Sequence, residues 1–175
     1  MAHVGWKTYS DVCSTEFRPK QSPTVRCFRI ADGRFPLFNA TGARLHGARW
    51  NSPGRGVIYA AETYSGAILE VLVHANVGRV PQTHATIAID IPDSLLVERL
   101  SASDLLGWQD ANQVMSRAFG DRWLAEARSA VLLVPAVVTR GREHNILLNP
   151  THPDFAKITH SAPEAVAWDE RLFLR

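Results

Sequence analysis

Between residues 83 and 92 the chain alternates strictly. THATIAIDIP puts Ala85, Ile87, Ile89 and Ile91 on one side and Thr86, Ala88 and Asp90 on the other, a period of two that predicts a half-buried strand stopped by Pro92. Upstream the period changes. From 64 to about 77, Ala67, Ile68, Leu69, Val71, Leu72, Val73 and Ala75 cover most of a helical circumference, with Thr63 where an N-cap belongs. The spacing predicts a largely buried helix whose only non-apolar stripe is Gly66, Glu70 and His74. VRCFRIA (25–31), GVIYAA (56–61), VLLVPAVVT (131–139) and HNILLNP (144–150) read as further strands, the third interrupted by Pro135 in the manner of a bulge or a sheet edge. DANQVMSRAFGDRWLAEARSA (110–130) reads as helix through Val114, Ala118, Trp123 and Leu124, with Gly120 expected to divide it. Strands outnumber helices, which predicts an α+β fold, one domain of mixed or antiparallel sheet with flanking helices.

Two stretches fall outside this patterning. Residues 1–24 are polar and punctuated by aromatics, and read as an N-terminal arm ahead of a main domain over 25–175. Residues 32–56 hold Gly33, Gly42, Gly47, Gly54, Gly56, Pro36 and Pro53, a density of turn formers that predicts an extended functional loop. With 175 residues, 46% of them apolar and 21% charged, the chain can bury a core without a metal or a disulfide. Cys13 and Cys27 form no CxxC pair and are expected as reduced thiols. No apolar run approaches the roughly 20 residues of a membrane span, and no apolar leader precedes the arm; the expectation is a cytoplasmic protein that does not meet a membrane.

The net charge of +2 excludes little, but its makeup is informative: Lys7, Lys20 and Lys157 are the only lysines. Arginine's planar fork binds phosphate bidentately, although a GC-rich genome would give the same bias. No cluster is dense enough to suggest direct nucleic-acid binding. In GARWNSPGRGVIYAA (47–61) an arginine sits in a glycine-rich loop ten residues before a strand tyrosine. Arg49 could grip a pyrophosphate there and Tyr59 could offer a flat face to a pyridinium ring; equally, Arg49 could be a surface ion pair and Tyr59 core. Glu70 either meets bulk water or lines a polar cleft, where a carboxylate would suit a developing ribosyl cation. HExxH, paired CxxC, GxSxG, GxxxxGK[ST] and GxGxxG are all absent, so metal, serine-hydrolase, NTPase and Rossmann readings have no motif. An RNA-cleaving reading lacks a basic groove with acid–base residues.

The segment 28–74, from FRIADGRF through GARWNSPGRGVIYAA to AILEVLVH, resembles the opening of RES domains. AIDIPDSLL, LGWQD, FGDRWLAEARSAVLLVPAVV, HNILLNPTHPDF and WDERL resemble the family's later blocks, in order. The resemblance implies an ADP-ribosyltransferase-like fold and a toxin of a type II toxin–antitoxin system that cleaves the nicotinamide–ribose bond of NAD⁺. ADP-ribose would pass to a protein target, phosphate or water. NAD⁺ is then the substrate, no further cofactor is implied, and the partner is an Xre-type helix-turn-helix antitoxin, through which alone DNA is met. Position by position, the family's first-strand arginine matches Arg29, its loop arginine Arg49, its aromatic Tyr59 and its helical glutamate Glu70, with Asn145 a further NAD⁺-binding candidate. One departure stands out: where the family has serine after the proline of a VPS block, this chain has Ala136. The missing hydroxyl would weaken NAD⁺ positioning, redirect ADP-ribose toward a protein side chain, or mark an attenuated protein whose main role is to bind its antitoxin and tune autorepression. His144 or Asn145 could substitute for it.

Overall fold

The computed structural model describes residues 24–74 and 80–173; residues 1–23 of the arm, Cys13 among them, lie outside, and Thr24 belongs to the first strand. The elements run β1 (Thr24–Asp32), α1 (Thr41–His46), β2 (Ile58–Ala61), α2 (Tyr64–His74), β3 (His84–Pro92), β4 (Val97–Arg99), α3 (Val114–Glu126), β5 (Val131–Pro135), β6 (His144–Leu148), β7 (Thr159–His160) and β8 (Glu164–Ala165). They build one mixed sheet in the order β4-β5-β6-β2-β1-β3-β7, with β8 also on β3. The β4–β5 pair is parallel and every other pair antiparallel.

One face of this sheet carries Cys27, Ile58, Ile87, Ile89, Ile91, Val131, Leu133, Ile146 and Leu148 in a single core, capped by Leu37 and Phe155. The expected apolar side of β3 is thus the buried one. Burial pushes the Cys27 thiol up to about 12, so it stays protonated and unreactive. The other face is divided. Trp50, Trp108 and Trp123 cover Leu132, Val134 and Leu147, while α2 packs Ala67, Ile68 and Val71 on Phe28, Ile30 and Ala61. A cleft runs between these two packed bodies.

Four expectations are corrected. Thr63 Oγ1 does accept from the Gly66 N–H at 2.9 Å as a cap should, but α2 is not largely buried: only Gly66 and Ala67 are, and Leu69 is 43% and Val73 65% exposed. A helix lying on one face of a sheet can cover only one stripe. Gly120 does not divide α3, because its absent side chain is what lets the helix lie against the Trp50 carbonyl. The buried stripe of α3 is Ser116, Gly120 and Trp123, and Val114 is exposed. Strand 131–139 stops at Pro135, inside the sheet rather than at its edge, since β5 lies between β4 and β6; proline lacks the N–H to continue the ladder.

The 32–56 segment is held more firmly than an extended loop. It contains α1 and a tight Ala48–Asn51 bridge. Fully buried Asn51 donates from Nδ2 to the carbonyls of Ala43 at 2.8 Å, Ser52 at 3.2 Å and Arg55 at 2.8 Å. Ser52 donates through both its N–H and its hydroxyl to Asp121 of α3. Gly47 has a φ of +69°, which favours glycine, and its Cβ would meet the Asn51 carbonyl and Pro53.

Candidate active site

The cleft encloses about 580 Å³ and is lined by Arg29, Arg49, Tyr59, Glu70 and Asn145 among others. All five sequence-predicted site residues therefore share one cavity. They come from five places in the chain: β1, the loop before β2, β2 itself, α2 and β6. The stripe of α2 that includes Glu70 and His74 faces the cleft.

Pairing between β1 and β2 is limited to Phe28 opposite Ala61. Where the strands part, Arg29 bridges them. It donates from Nε to the Leu37 carbonyl and from Nη1 to the Tyr59 carbonyl, both at 2.7 Å. Burial lowers its pKa, yet an arginine stays charged. Two of its donors are thus committed to the scaffold, and Nη2 has no partner among the described residues. Arg49 is freer. Its Nη1 is shared between the carbonyls of Trp108 and Asp110 at 3.0 Å each, and Nε and Nη2 have no partner among the described residues. Burial lowers its pKa, while the charges of Glu70 and Asp110 act in the opposite sense, so Arg49 and Glu70 feel each other's charge across the cleft.

The Tyr59 hydroxyl donates to Asn51 Oδ1 at 2.7 Å and accepts from the Trp50 N–H at 3.2 Å. Burial drives the phenol's pKa upward, which leaves it protonated and unsuited to proton transfer. Its chemistry is confined to the ring and to holding the Arg49–Trp50–Asn51 loop. Tyr59→Phe is expected to destabilise the fold by about 1–2 kcal/mol, because the Trp50 N–H and Asn51 Oδ1 lose their partner together; chemical denaturation reads this directly, and an unchanged midpoint would show the loop is held by something else.

Glu70 Oε1 accepts from Asn145 Nδ2 at 2.7 Å, and its Oε2 lies 3.9 Å from His74 Nε2. Asn145 was expected as a ligand contact, yet here its amide is on the carboxylate. Ala136 is buried, flanked by Pro135 and Val137, which line the cleft. His144 does not stand in for the absent hydroxyl: its ring lies between Glu62 Oε2 at 3.1 Å and Arg99 Nη1 at 3.2 Å. Sequence reading missed Arg117 and Gln113, which also line the cleft. Arg117 donates to Gln113 Oε1 at 2.9 Å and to the Ala48 carbonyl at 3.3 Å. Gln113 is the N-cap of α3 and Arg117 lies four residues on, a spacing that was the sequence's trace of the pair.

A cleft that gathers three guanidinium groups and a tethered carboxylate can hold a diphosphate and face a developing cation at once. The profile of the RES domain family matches residues 26–169. The Prs ADP-ribosylating toxin of a Sphingobium species is 36% identical over 139 residues, 77% of this chain and 85% of that protein. The Toxin Res of Yersinia enterocolitica is 34% identical over 149 residues, 83% of this chain and 97% of that one. Among solved structures, the Mycobacterium tuberculosis MbcT–MbcA toxin–antitoxin complex contains a chain similar to this one at a TM-score of 0.67 and 19% identity, covering 82% of this chain and 84% of that one. At that identity the likeness is one of fold.

Proposed function

The chain belongs to the RES-domain family, and on that premise we propose that it is the toxin of a toxin–antitoxin pair, breaking the nicotinamide–ribose bond of NAD⁺ and passing ADP-ribose to an acceptor. The observation that carries this reading is the Glu70 carboxylate, fixed by Asn145 in the same cleft as Arg29, Arg49 and Tyr59. Arg49 offers Nε and Nη2 to the pyrophosphate and Arg29 its remaining Nη2. The Tyr59 ring packs against the nicotinamide end.

In NAD⁺ the pyridine is already cationic, so nicotinamide leaves neutral with the bonding pair and needs no general acid. The positive charge then develops on the ribosyl carbon and ring oxygen, and the Glu70 carboxylate stabilises it there. An acceptor nucleophile forms the new bond to that carbon and loses its proton to solvent. Of water, phosphate and a protein side chain, we favour the last: Ala136 offers no hydroxyl to position a small acceptor, and a relative is named an ADP-ribosylating toxin. The reading places the toxin in the cytoplasm, restrained by an Xre-type antitoxin. No helix among the described residues is long and apolar enough to cross a membrane.

Mass spectrometry of NAD⁺ incubated with the protein, alone, with phosphate and with cell lysate, tests both parts. The expected result is free nicotinamide together with a protein of the lysate made heavier by ADP-ribose. Free ADP-ribose or its 1″-phosphate as the dominant product would move the acceptor to water or phosphate. NAD⁺ left intact in all three would overturn the reading, and growth unaffected by expression without antitoxin would then favour a protein that only binds.

A further inference from the structure

Asparagine is a poor strand residue, because its amide competes for backbone partners and it packs weakly on a pleated surface. Asn145 nevertheless sits on an interior strand. Its backbone is opposite Val134 of β5 on one side and Ala61 of β2 on the other. Just before it, the His144 N–H donates to Glu62 Oε2 at 3.1 Å, and the Glu62 N–H donates back to the His144 carbonyl at 3.1 Å. The backbone at Asn145 is thus held from both sides.

Glu70 is in the opposite situation. Its helix buries only Gly66 and Ala67, both at the N-terminal end, and Leu69 and Val73 on either side of it are exposed. A glutamate side chain on such a helix has rotamer freedom that packing does not remove. Among the described residues its one hydrogen bond is the 2.7 Å contact from Asn145 Nδ2 to Oε1, across 75 positions of sequence. A short bond from an amide to a carboxylate is charge-assisted and directional.

We propose that Asn145 is the positioning residue of Glu70: an amide on a rigid strand grips one carboxylate oxygen, so that the other is presented to the sugar carbon at a fixed height. This rests on the function proposed above, and it replaces the expectation that Asn145 binds NAD⁺ itself. Acting through Glu70, Asn145 contributes to the rate and not to NAD⁺ affinity. A misplacement of about 1 Å in a reacting group costs on the order of 10²-fold in rate.

The test is steady-state nicotinamide release by Asn145→Leu and Asn145→Asp, with Glu70→Gln alongside and each preparation checked for folding by circular dichroism. Asn145→Leu keeps the shape and removes the donor; kcat is expected to fall about 10- to 100-fold while KM for NAD⁺ stays within about threefold. Asn145→Asp puts two carboxylates at hydrogen-bond distance. They repel when both are ionised, but share one proton in acid, which recreates a donor to Glu70. Its activity relative to wild type should therefore be low at neutral pH and recover as pH falls. A merely structural role would give no such recovery, and a contact to substrate would show itself in KM rather than in kcat.

If Asn145→Leu does not fold, the Asp variant decides alone. A raised KM with kcat retained, or an Asp variant whose ratio to wild type is flat with pH, overturns the positioning role. Those results with Glu70→Gln inactive sink this inference only; a fully active Glu70→Gln removes Glu70 from the chemistry and this inference with it, and wild-type protein that releases no nicotinamide sinks the proposed function.

Discussion

Glu70→Gln is expected to slow nicotinamide release by about 10²- to 10³-fold, the usual consequence of removing one preorganised electrostatic contact from a transition state. The substitution isolates charge from shape. A glutamine carbonyl oxygen can still accept from Asn145 Nδ2 where Glu70 Oε1 accepts now at 2.7 Å, so the side chain keeps its anchor. Glu70 is only part-buried, and among the described residues its ion-pair neighbour, exposed His74, lies 3.9 Å away. Stability should therefore change by no more than about 0.5 kcal/mol, as for other substitutions away from the core. NAD⁺ affinity should be nearly preserved, because the arginines that would hold the pyrophosphate are untouched. Release at the wild-type rate from a folded variant would remove Glu70 from the chemistry.

Gly120→Ala should do the reverse, damaging the fold first. A Cβ at this position would stand 1.9 Å from the Trp50 carbonyl oxygen, 2.8 Å from its carbon and 3.2 Å from its Cα. Backbone cannot rotate aside as a side chain does, so either α3 or the loop must move. Both are pinned: Trp50 is buried in the tryptophan cluster, Asn51 is tied to three carbonyls, and Ser52 is bonded to Asp121 on the same helix. We expect a loss of about 3 kcal/mol or more, at the upper end for overpacking, read as a fall in the denaturation midpoint. Arg49 precedes Trp50, so whatever folded protein remains should also turn over NAD⁺ poorly. A loss below about 1 kcal/mol would mean the helix and loop are not in the contact described.

Residues whose signal is local were legible. The alternation of β3 names its buried side, and Thr63 with the Gly66–Glu70–His74 stripe locates α2, although whether that stripe meets water or a cleft was decided only by the structure. Gly120 shows where local reading fails. As a weak helix former it suggests a break, whereas its meaning comes from Trp50, 70 positions earlier, pressed against it. Val73 fails for the converse reason: apolarity alone does not say how much sheet is available to cover a helix. In the site, Arg29 was recognisable only through family resemblance, since a charged residue in a strand ordinarily faces solvent. Its task of bridging β1 and β2 depends on where their pairing ends. Asn145 was noticed, but its bond to Glu70 was not, because a contact across 75 residues leaves no periodic trace. Arg117 was hidden among the other arginines until α3 and the Ala48 loop were brought together.

How NAD⁺ sits in this cleft decides whether Glu70 can act on its ribosyl carbon. The most direct measurement is a crystal structure of the Glu70→Gln protein with NAD⁺, in which slow turnover preserves the substrate. We predict the pyrophosphate on Arg49 Nε and Nη2, the nicotinamide against the Tyr59 ring, and the ribosyl carbon that loses it within about 4 Å of the residue-70 side chain, near enough for an ionised group to stabilise charge there. NAD⁺ bound with that carbon turned away from residue 70, or outside the cleft, would contradict it.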